Sequence, residues 1–393
     1  MADRPLLATL SPLLFMLASC GASPAGDNRP QGDAPAETPF ETTELGRFEE
    51  PWAMAFDRGT GVLFVTEKKG RIKFVEPGGK LGLVQGVPKV DYGGQGGLGD
   101  FIFAPAEPSP TLDRRTVYLS WAEAGPGDTR GAAVGRADLV CEDHSSCALR
   151  NLKVIWRQTP KTTGRGHYSH RLAFSPDGQY LFIASGERQK QEPAQDLSNN
   201  LGTIVRLLPD GTPAPGNPFA ELGGTSRQIW SYGHRNILGL AFDGDGRLWD
   251  VEHGARGGDE LNLVKEGANY GWPVVSNGRH YDGTKIPHQS TRPEFAAPAT
   301  SWDPVIAPGG MIFYRGDMFP EWKGQALIAA MKPGAIVRVA IDGEKAREVS
   351  RYHMDHRIRA IAEHEDGSIW VLEDGRNMSS SRLLKLTPRR KAN

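Results

Sequence analysis

Two histidines and an arginine lie within five positions in the segment GHYSHRL at 166–172. His167, His170 and Arg171 come directly before AFSPDGQYLFIASGE, which reads as a turn inside a β-rich run. The whole chain has only ten histidines. Because a neutral imidazole can accept a proton near pH 7, a histidine at the mouth of a strand is a candidate general base. The alternative is a histidine that only caps the rim of the strand.

Cationic side chains recur beside Gly or Pro turns further along the chain. They are Arg235 in YGHRNILG, Lys332 in AAMKPGA, and Arg357 and Arg359 in HRIRAI. If the fold brings the four to one face, they form a basin suited to a small polyanion. For any one of them alone, surface charge at the rim of a strand is the simpler explanation.

A repeated phrase supplies the elements that would position these residues. It consists of a small or apolar pair, a turn and a β-rich run, and it occurs six times. The copies begin at Met54, Ile102, Leu172, Leu240, Met311 and Ile361. Further strand-like runs such as GRIKFVE and GAIVRVAIDG follow several copies. Alternating strands with Asp-Gly turns predict an all-β fold, a six-bladed β-propeller of four-stranded antiparallel blades.

The composition agrees with such a fold. The 393 residues are 38% hydrophobic and 24% charged, which is a globular balance in a chain long enough to bury a substantial core. The 48 glycines and 29 prolines favour many turns over long helices. The formal net charge of -1 gives no electrostatic case for a nucleic-acid partner.

Local motifs for other chemistries fail on context or are missing from the sequence. GQGGLG at 94–99 matches the G-x-G-x-x-G pattern, but the strand-like DFIFAP follows it where a dinucleotide site needs the start of a helix. The sequence has no G-x-S-x-G, no H-E-x-x-H and no cysteine pairs with zinc spacing. Hydrolytic and zinc chemistry therefore have no local support.

The N-terminal residues predict export. Residues 1–19 are predicted to be a signal peptide. Their apolar run at 6–17 is too short to span a bilayer as a helix but has the length that a signal peptide needs. The run ends in LASC, which resembles the lipobox of bacterial lipoproteins and implies that Cys20 is lipidated; an ordinary signal peptide is the alternative. Residues 20–42, rich in Pro, Ala and Gly, predict a flexible tether. We therefore expect a lipid-anchored protein on the periplasmic face of the bacterial envelope, at the outer membrane.

The two other cysteines, Cys141 and Cys147 in CEDHSSC, are close enough to close a small loop. An exported compartment would permit a disulfide between them. We expect such a bond to act as a staple.

Three longer stretches point to a family. They are GHRNILGLAFD at 233–243, HGARGGDELNLVKEGANYGWP at 253–273 and RIRAIAEHEDGSIWVLED at 357–374. In this order they resemble the soluble sugar dehydrogenases that depend on pyrroloquinoline quinone (PQQ), the six-bladed aldose and glucose dehydrogenase family. The resemblance covers roughly 43–388, which we take as the propeller domain. It implies an oxidoreductase that converts aldose sugars to lactones by hydride transfer from C1 to PQQ, with calcium as the electrophile.

The resemblance also implies a role for each matching residue. It makes His167 the general base, and it makes Arg235, together with calcium, the group that stabilises charge developing on the quinone. The residues implied to contact PQQ are Gln95, Arg235, Asn236, Tyr281, Lys332, Arg357 and Arg359. The backbone carbonyls of Gly254 and Ala255 are implied to hold the calcium on the quinone. A second, structural calcium is implied near Glu260 and the carbonyl of Tyr270, because oxygen ligands suit a hard cation.

The sequence departs from the family pattern at two positions. Ala255 stands where the family often has Pro, and we expect a loss of rigidity without loss of the ion. Gly166 stands where the glucose-type enzymes carry an Asp that helps to orient the base, so a broader aldose specificity is expected. Neither His170 nor Arg171 is expected to do chemistry: His170 is interpreted as structural or at the pocket edge, and Arg171 as a blade-stabilising residue.

Two other functions stay open at this point. One is a non-catalytic propeller of this family that serves as a binding module. The other is a calcium-dependent propeller lactonase, which needs carboxylates and asparagines converging on a central ion, and the cationic set disfavours it. For the dehydrogenase, the expected partners are aldose sugars and a periplasmic electron acceptor, either a cytochrome or a quinone, with the membrane reached only through the lipid anchor.

Overall fold

The protein is described from a computed structural model that covers residues 38–106, 108–142, 146–375 and 380–389. Within these residues the chain forms 24 β-strands and five short 3₁₀ helices. The strands build six four-stranded antiparallel blades, numbered here in chain order of their first strand. This arrangement confirms the all-β propeller predicted from the repeats, and each repeated phrase covers the first two strands of one blade.

The first three blades take up the N-terminal half of the propeller. Blade 1 consists of β2 (Pro51–Phe56), β3 (Leu63–Glu67), β4 (Arg71–Val75) and β5 (Leu81–Gln85). Blade 2 consists of β6 (Leu98–Phe103), β7 (Arg114–Ala124), β8 (Arg130–Glu142) and β9 (Ser146–Arg157). Blade 3 consists of β10 (Ser169–Phe174), β11 (Leu181–Ser185), β12 (Thr203–Leu207) and β13 (Ile229–Tyr232).

The remaining blades complete the ring. Blade 4 consists of β14 (Ile237–Phe242), β15 (Leu248–Glu252), β16 (Asp259–Leu263) and β17 (Thr300–Trp302). Blade 5 consists of β18 (Pro308–Phe313), β19 (Ala326–Ala330), β20 (Ala335–Asp342) and β21 (Lys345–His353). Blade 6 consists of β22 (Ile358–Glu363), β23 (Ile369–Glu373), β24 (Ser381–Pro388) and β1 (Phe40–Phe48). The 3₁₀ helices are Glu192–Gln195, Ala220–Leu222, Gly224–Gln228, Gln289–Thr291 and Pro320–Trp322.

The first strand of the chain closes the ring. β1 pairs with β24 in antiparallel register, from Phe40 opposite Pro388 to Phe48 opposite Ser381. β22 in turn lies against β2, so the innermost strands of all six blades form a closed circle. Strand β1 begins at Phe40, so residues 40–42, which we had assigned to the tether, belong to the propeller. The Phe40 side chain explains this difference, because it is 1% exposed and contributes to the core. In a solvated tether that apolar surface would be exposed to water.

The hydrophobic core lies between the blades. Six apolar clusters fill the six interfaces between adjacent blades, including the interface between blades 6 and 1. Every residue of β3, β11, β15 and β19 is buried, because the second strand of a blade is covered on both faces. These strands are therefore mostly apolar with little alternation, although β3 and β15 also bury Glu67, Asp250 and Glu252.

Blades 1 and 2 are joined at their outer edges. β5 pairs in parallel with β9 through Val84 and Gln85, which merges the two blades into one eight-stranded sheet. The hairpin of β8 and β9 carries a disulfide between Cys141 and Cys147, with an S–S distance of 2.09 Å. The sequence offered no signal for the parallel pairing of the outer strands.

The predicted signal peptide, the lipidation site at Cys20 and the tether up to residue 37 lie outside the described residues, so they stay predictions. Among the described residues, no helix is long and apolar enough to cross a membrane.

The packing of β1 makes closure of the ring testable. The Phe40 ring contacts Trp322 and Tyr352 of blade 5, with ring centroids 6.2 and 5.7 Å away. Phe40→Ala should lower the free energy of unfolding by about 3–5 kcal/mol, as expected for a buried phenylalanine. Thr43→Ala, on the exposed part of the same strand, should change it by less than about 0.5 kcal/mol. Urea denaturation measures both, and equal effects would show that β1 does not close the core.

Candidate active site

The six blades together surround a cavity of about 540 Å³. Its lining includes residues of every blade; Lys68, Gln95, His170, Asn236, Met331 and Arg359 represent blades 1 to 6. Most of these residues lie at or next to the ends of the inner strands. A propeller thus places residues that are far apart in sequence around one concave space. The predicted basin of four cationic side chains would need such an arrangement.

His167 adjoins this cavity through its neighbour Tyr168 and its partner Gln95, which both line it, and contacts on two sides hold His167 in place. Its backbone N–H donates to the Gln95 side-chain oxygen at 2.8 Å, so two residues assigned to the site from sequence are in direct contact. Its Nδ1 pairs with the carboxylate of Glu187. A carboxylate on Nδ1 fixes the tautomer with the proton on that nitrogen and leaves Nε2 as the proton acceptor.

Glu187 is a site residue that the sequence analysis missed. It is buried, and its second oxygen accepts from the backbone N–H groups of Lys190 and Gln191 at 2.6 and 2.7 Å. A partial signal was present: a glutamate ends the second strand of three blades, in FVTE, DVE and VLE, and Glu187 lies two residues beyond the end of β11, in IASGE. The three glutamates at strand ends, Glu67, Glu252 and Glu373, are also buried and accept from backbone N–H groups. In blade 3 Ser185 takes the strand-end position, and Glu187 in the following loop orients the candidate base.

Burial and charge act against each other on this pair. Burial lowers the pKa of His167 below its ordinary value, the hydrogen bond that the ring donates to Glu187 raises it, and the positive charge of Arg235 lowers it further. For Glu187, burial raises the pKa, but the hydrogen bond and charge of His167 outweigh it and the pKa is lowered overall. The imidazole is thus neutral, and a carboxylate is in place to stabilise it once it is protonated.

The segment that carries His167 has a strained backbone. His167, Ser169 and His170 have φ angles of 49°, 63° and 73°, in the left-handed region that non-glycine residues rarely adopt. The space next to Gly166 is filled by the Gln189 amide, which a Cβ would approach to 2.3 Å. At Gly166, where the glucose-type enzymes carry an Asp, the side chain of Gln189 from the neighbouring loop therefore occupies the space that a side chain would need. Strain of this kind is kept where the surrounding structure fixes a functional group.

Arg357 and Arg359 line the cavity and share one carboxylate. Arg357 Nε lies 2.8 Å from one oxygen of Asp374, and a terminal nitrogen of Arg359 lies 3.1 Å from the other. Burial raises the pKa of Asp374, but the charges and hydrogen bonds of the two arginines lower it overall. Asp374, which sequence reasoning missed, thus orders both guanidinium groups and leaves the cluster with one net positive charge.

Arg235 and Asn236 lie at the boundary between the large cavity and a smaller one. The Arg235 backbone N–H donates to Glu252 at 2.6 Å, and its guanidinium stacks over Trp272. Its Nε has no hydrogen-bond partner among the described residues. Asn236 accepts from the backbone N–H of Ser169 at 3.2 Å, which ties it to the segment of the base. A buried donor without a partner is a place where a ligand oxygen would fit.

The smaller cavity, of about 10 Å³, has room for a single ion or water and is lined by groups that would bind a cation. Glu252, Glu260, Tyr270 and Gly254 lie around it. Gly254, predicted to hold the calcium on the quinone, thus lies beside Glu260 and Tyr270, which were predicted to hold a second calcium. Asp250 extends the acidic group on the same face of the hairpin. Burial, followed by the charge of Glu252, raises the pKa values of Asp250 and Glu260.

The acidic group has too few cationic partners of its own. His234, Asp250 and Glu252 bring ligand atoms within 4.8 Å of one another. Within the described chain, one oxygen of Asp250 and the side-chain oxygen of Asn262 have no hydrogen-bond partner. Buried carboxylates that repel one another and carry orphaned oxygens fit a divalent cation.

The loop at Gly254 and Ala255 is fixed by a carboxylate. The Gly254 N–H donates to Asp259 at 2.9 Å, and Asp259 also accepts from the N–H of Ala307 at 2.6 Å. Burial raises the pKa of Asp259 to about 6. The buried Ala255 packs with Trp272. This packing restrains the loop at the position where relatives often have proline.

Four residues assigned from sequence to catalysis or to PQQ do not line the large cavity: His167 and Arg235 are buried next to residues that do, and Tyr281 and Lys332 are exposed. Tyr281 is 72% exposed, and Lys332 is exposed next to Met331, whose side chain does line the cavity. Conversely, the lining includes His253, whose Nε2 lies 2.7 Å from the Pro308 carbonyl. Burial lowers the pKa of His253 to about 3, so it is neutral. Its place in the EHG sequence next to Gly254 was the available signal.

Fold and site together define a class of propeller enzyme: a carboxylate-oriented histidine adjoins a cavity with fixed arginines, and a buried acidic cluster lies beside it. The chain belongs to the glucose/sorbosone dehydrogenase family, whose model matches residues 48–385. It is 37% identical to the aldose sugar dehydrogenase YliI of Escherichia coli (strain K12) over 364 residues, which are 91% of this chain and 94% of that protein.

Solved structures agree. The apo-form of the soluble aldose sugar dehydrogenase from Escherichia coli is 36% identical, with a TM-score of 0.80, covering 89% of this chain and 100% of that one. The PQQ-bound form of the aldose sugar dehydrogenase from Streptomyces coelicolor is 25% identical, with a TM-score of 0.70, covering 91% of this chain and 100% of that one.

The His167–Glu187 pair gives a prediction that needs no substrate. Glu187→Gln removes a negative charge that raises the pKa of His167, so the pKa of His167 should fall further. An NMR titration of the His167 ring measures this. Glu67→Gln, which removes a buried carboxylate at the end of the second strand of blade 1, should leave the His167 titration unchanged. An unchanged or higher pKa in Glu187→Gln would contradict the pairing.

Proposed function

We propose that the protein is a PQQ-dependent aldose dehydrogenase that oxidises the C1 hydroxyl of an aldose to a lactone. The observation that carries the proposal is the neutral His167, oriented by Glu187, next to a cavity that holds fixed arginines. Family membership supports the reaction class, and the named relatives from Escherichia coli and Streptomyces coelicolor support the substrate and the cofactor.

The cavity has the chemistry to hold a quinone with several carboxylates. Gln95, Asn236, Arg357 and Arg359 line it and offer amide and guanidinium donors. Arg235, at its boundary, adds the donor Nε that lacks a partner in the described structure. Contacts from Lys332 and Tyr281 stay predictions. PQQ, when bound, would supply the acceptor for the hydride from C1, which carries both electrons of the oxidation.

The residues of the chain would handle the proton. As a hydride leaves C1 of the sugar, the hydroxyl proton passes to Nε2 of His167, and the C1–O bond becomes the lactone carbonyl. Glu187 stabilises the imidazolium that forms, because its carboxylate already accepts from Nδ1. The Arg235 guanidinium favours the neutral form of His167 beforehand, because its charge lowers the pKa of that ring.

The propeller axis argues against the lactonase alternative. A lactonase of this fold would converge carboxylates and asparagines on a central ion. Here the buried Arg171 points from β10 toward the other inner strands, and the acidic group lies off the axis within blade 4. The binding-module alternative shares all the site residues, so only turnover separates it from the dehydrogenase.

Dye reduction with a panel of aldoses tests the proposal. Activity should appear only when PQQ and calcium are added together, and His167→Ala should lower kcat by about 10²–10⁴-fold while PQQ still binds. His288→Ala, an exposed histidine, serves as the control. PQQ binding without sugar oxidation would favour the binding module, and no PQQ binding would refute the assignment.

We also propose that calcium occupies the acidic cavity at Glu260, with the Gly254 and Ala255 carbonyls serving a calcium at the cofactor. The opposing carboxylates support the first site, since a divalent cation would offset their repulsion. The electron acceptor and the lipid anchor at Cys20 stay predictions.

Thermal unfolding of the cofactor-free protein tests the acidic site. Calcium at about 100 times its Kd should stabilise the wild type by about 2.7 kcal/mol. Glu260→Gln should lose most of this response, yet be at least as stable as the wild type without calcium, because it removes a buried repulsion. Glu294→Gln, an exposed carboxylate on a nearby loop, should respond like the wild type. An undiminished calcium response in Glu260→Gln would contradict the site.

A further inference from the structure

His170 is a cavity residue that the reaction described above does not use. It lines the cavity of about 540 Å³ and is 2% exposed. Its ring stacks on Tyr168 with centroids 5.2 Å apart and meets the Trp52 ring edge-on at 5.8 Å. These two aromatic contacts fix the plane of the imidazole.

The ring has hydrogen-bonding capacity that the protein leaves unused. Across the described residues, neither Nδ1 nor Nε2 of His170 finds a hydrogen-bond partner. A neutral imidazole carries one donor and one acceptor, and burying both without partners is costly. Because the ring borders a cavity, a ligand in that cavity would satisfy them.

The fold makes specific room for this side chain. A Cβ at Gly99 would lie 2.7 Å from the Cβ and Cγ of His170, so only glycine fits there. Gly99 is the last glycine of GQGGLG, the segment that failed as a nucleotide motif. The backbone of His170 is left-handed, at φ 73°, and is held there by the Ser120 hydroxyl, which donates to its carbonyl at 2.7 Å. The chain thus keeps a strained histidine where glycine would be relaxed.

The surrounding charge is positive. Burial, together with the charges of Arg188, Arg171 and Lys68, lowers the pKa of His170 to about 3. Two of these cations stack on the aromatic rings that contact His170: Arg188 stacks on Tyr168, and Arg171 stacks on Trp52. In this positive field the ring N–H donates most favourably to an anionic oxygen, and a further cation next to it is disfavoured.

We propose that His170 binds the cofactor: its ring N–H donates a hydrogen bond to an anionic oxygen of the quinone in the cavity, and Gly99 exists to admit it. This inference rests on the proposed function, because it requires a polyanionic cofactor in this cavity. It gives a ligand-binding role to a residue that the sequence analysis interpreted as structural or at the pocket edge.

Direct PQQ titration of the calcium-loaded, full-length protein tests the proposal without turnover. Quenching of tryptophan fluorescence reports the Kd. His170→Phe keeps the ring and removes both nitrogens, and it should weaken PQQ binding by about ten- to a hundredfold. His170→Gln, which restores a donor, should recover part of the loss. His364→Phe, in the aromatic cluster of Phe56 and Trp370, is the matched control and should keep the wild-type Kd.

His170→Gly guards against misfolding, since glycine accepts the left-handed backbone; it should weaken PQQ binding like His170→Phe, and thermal unfolding checks both variants. A Kd for His170→Phe within about twofold of the wild type overturns the proposal. So does an unchanged PQQ Kd with a raised KM for sugar, because the contact would then be to the substrate. If the wild type binds no PQQ, the proposed function falls as well, whereas equal binding by both proteins removes only the role of His170.

Discussion

The Arg171 guanidinium holds the inner strands of the propeller together. From β10 it donates to the Leu238 carbonyl of blade 4 at 2.6 Å and to Asp100 of blade 2 at 3.2 Å. It also bonds to the Gly309 carbonyl of blade 5 and stacks on Trp52 of blade 1 at 4.1 Å. One buried cation therefore contacts four other blades. A buried charge is tolerated because Asp100 and two carbonyls satisfy it.

The active site depends on this anchor. Arg171 follows directly after the strained segment that carries His167 and His170, so fixing its guanidinium fixes the start of β10. The cavity lies next to the strand ends that Arg171 holds. Trp52 and Leu238, which both contact Arg171, also line the cavity. Residues from all six blades can then point at one ligand with little freedom to move. Such rigidity is what a site that orients two reactants needs.

Much of the fold could be predicted from the sequence, because its signals are local. Asp-Gly turns such as Asp177-Gly178 close hairpins within a few residues, and the repeats mark the first two strands of each blade. Closure of the ring could not be predicted, because Phe40 pairs with Pro388 across almost the whole chain. The parallel pairing of β5 and β9 also joins residues far apart in the chain, so no local sequence pattern indicated it.

The site divides along the same line. His167, Gln95, Arg235 and Asn236 stand in recognisable motifs, and the structure brings them together. Glu187 was missed because its role depends on which buried glutamates face a histidine, as Glu187 faces His167 and Glu252 faces His234, and only the three-dimensional structure decides that. His170 was interpreted as structural or at the pocket edge; it lines the cavity, and its unused nitrogens in the described site suggest a ligand. Tyr281 and Lys332 were assigned by motif, and exposure sets them apart from the rest.

The central claim is that this cavity removes a hydride from C1 of an aldose. The most direct measurement is an anaerobic single turnover of the PQQ- and calcium-loaded protein with an aldose deuterated at C1, followed by absorbance of the quinone. The account predicts one equivalent of quinone reduced per protein, and a rate that is several-fold slower with deuterium than with hydrogen at C1. Quinone that binds but is not reduced by the sugar, or is reduced at the same rate with either isotope, would contradict it.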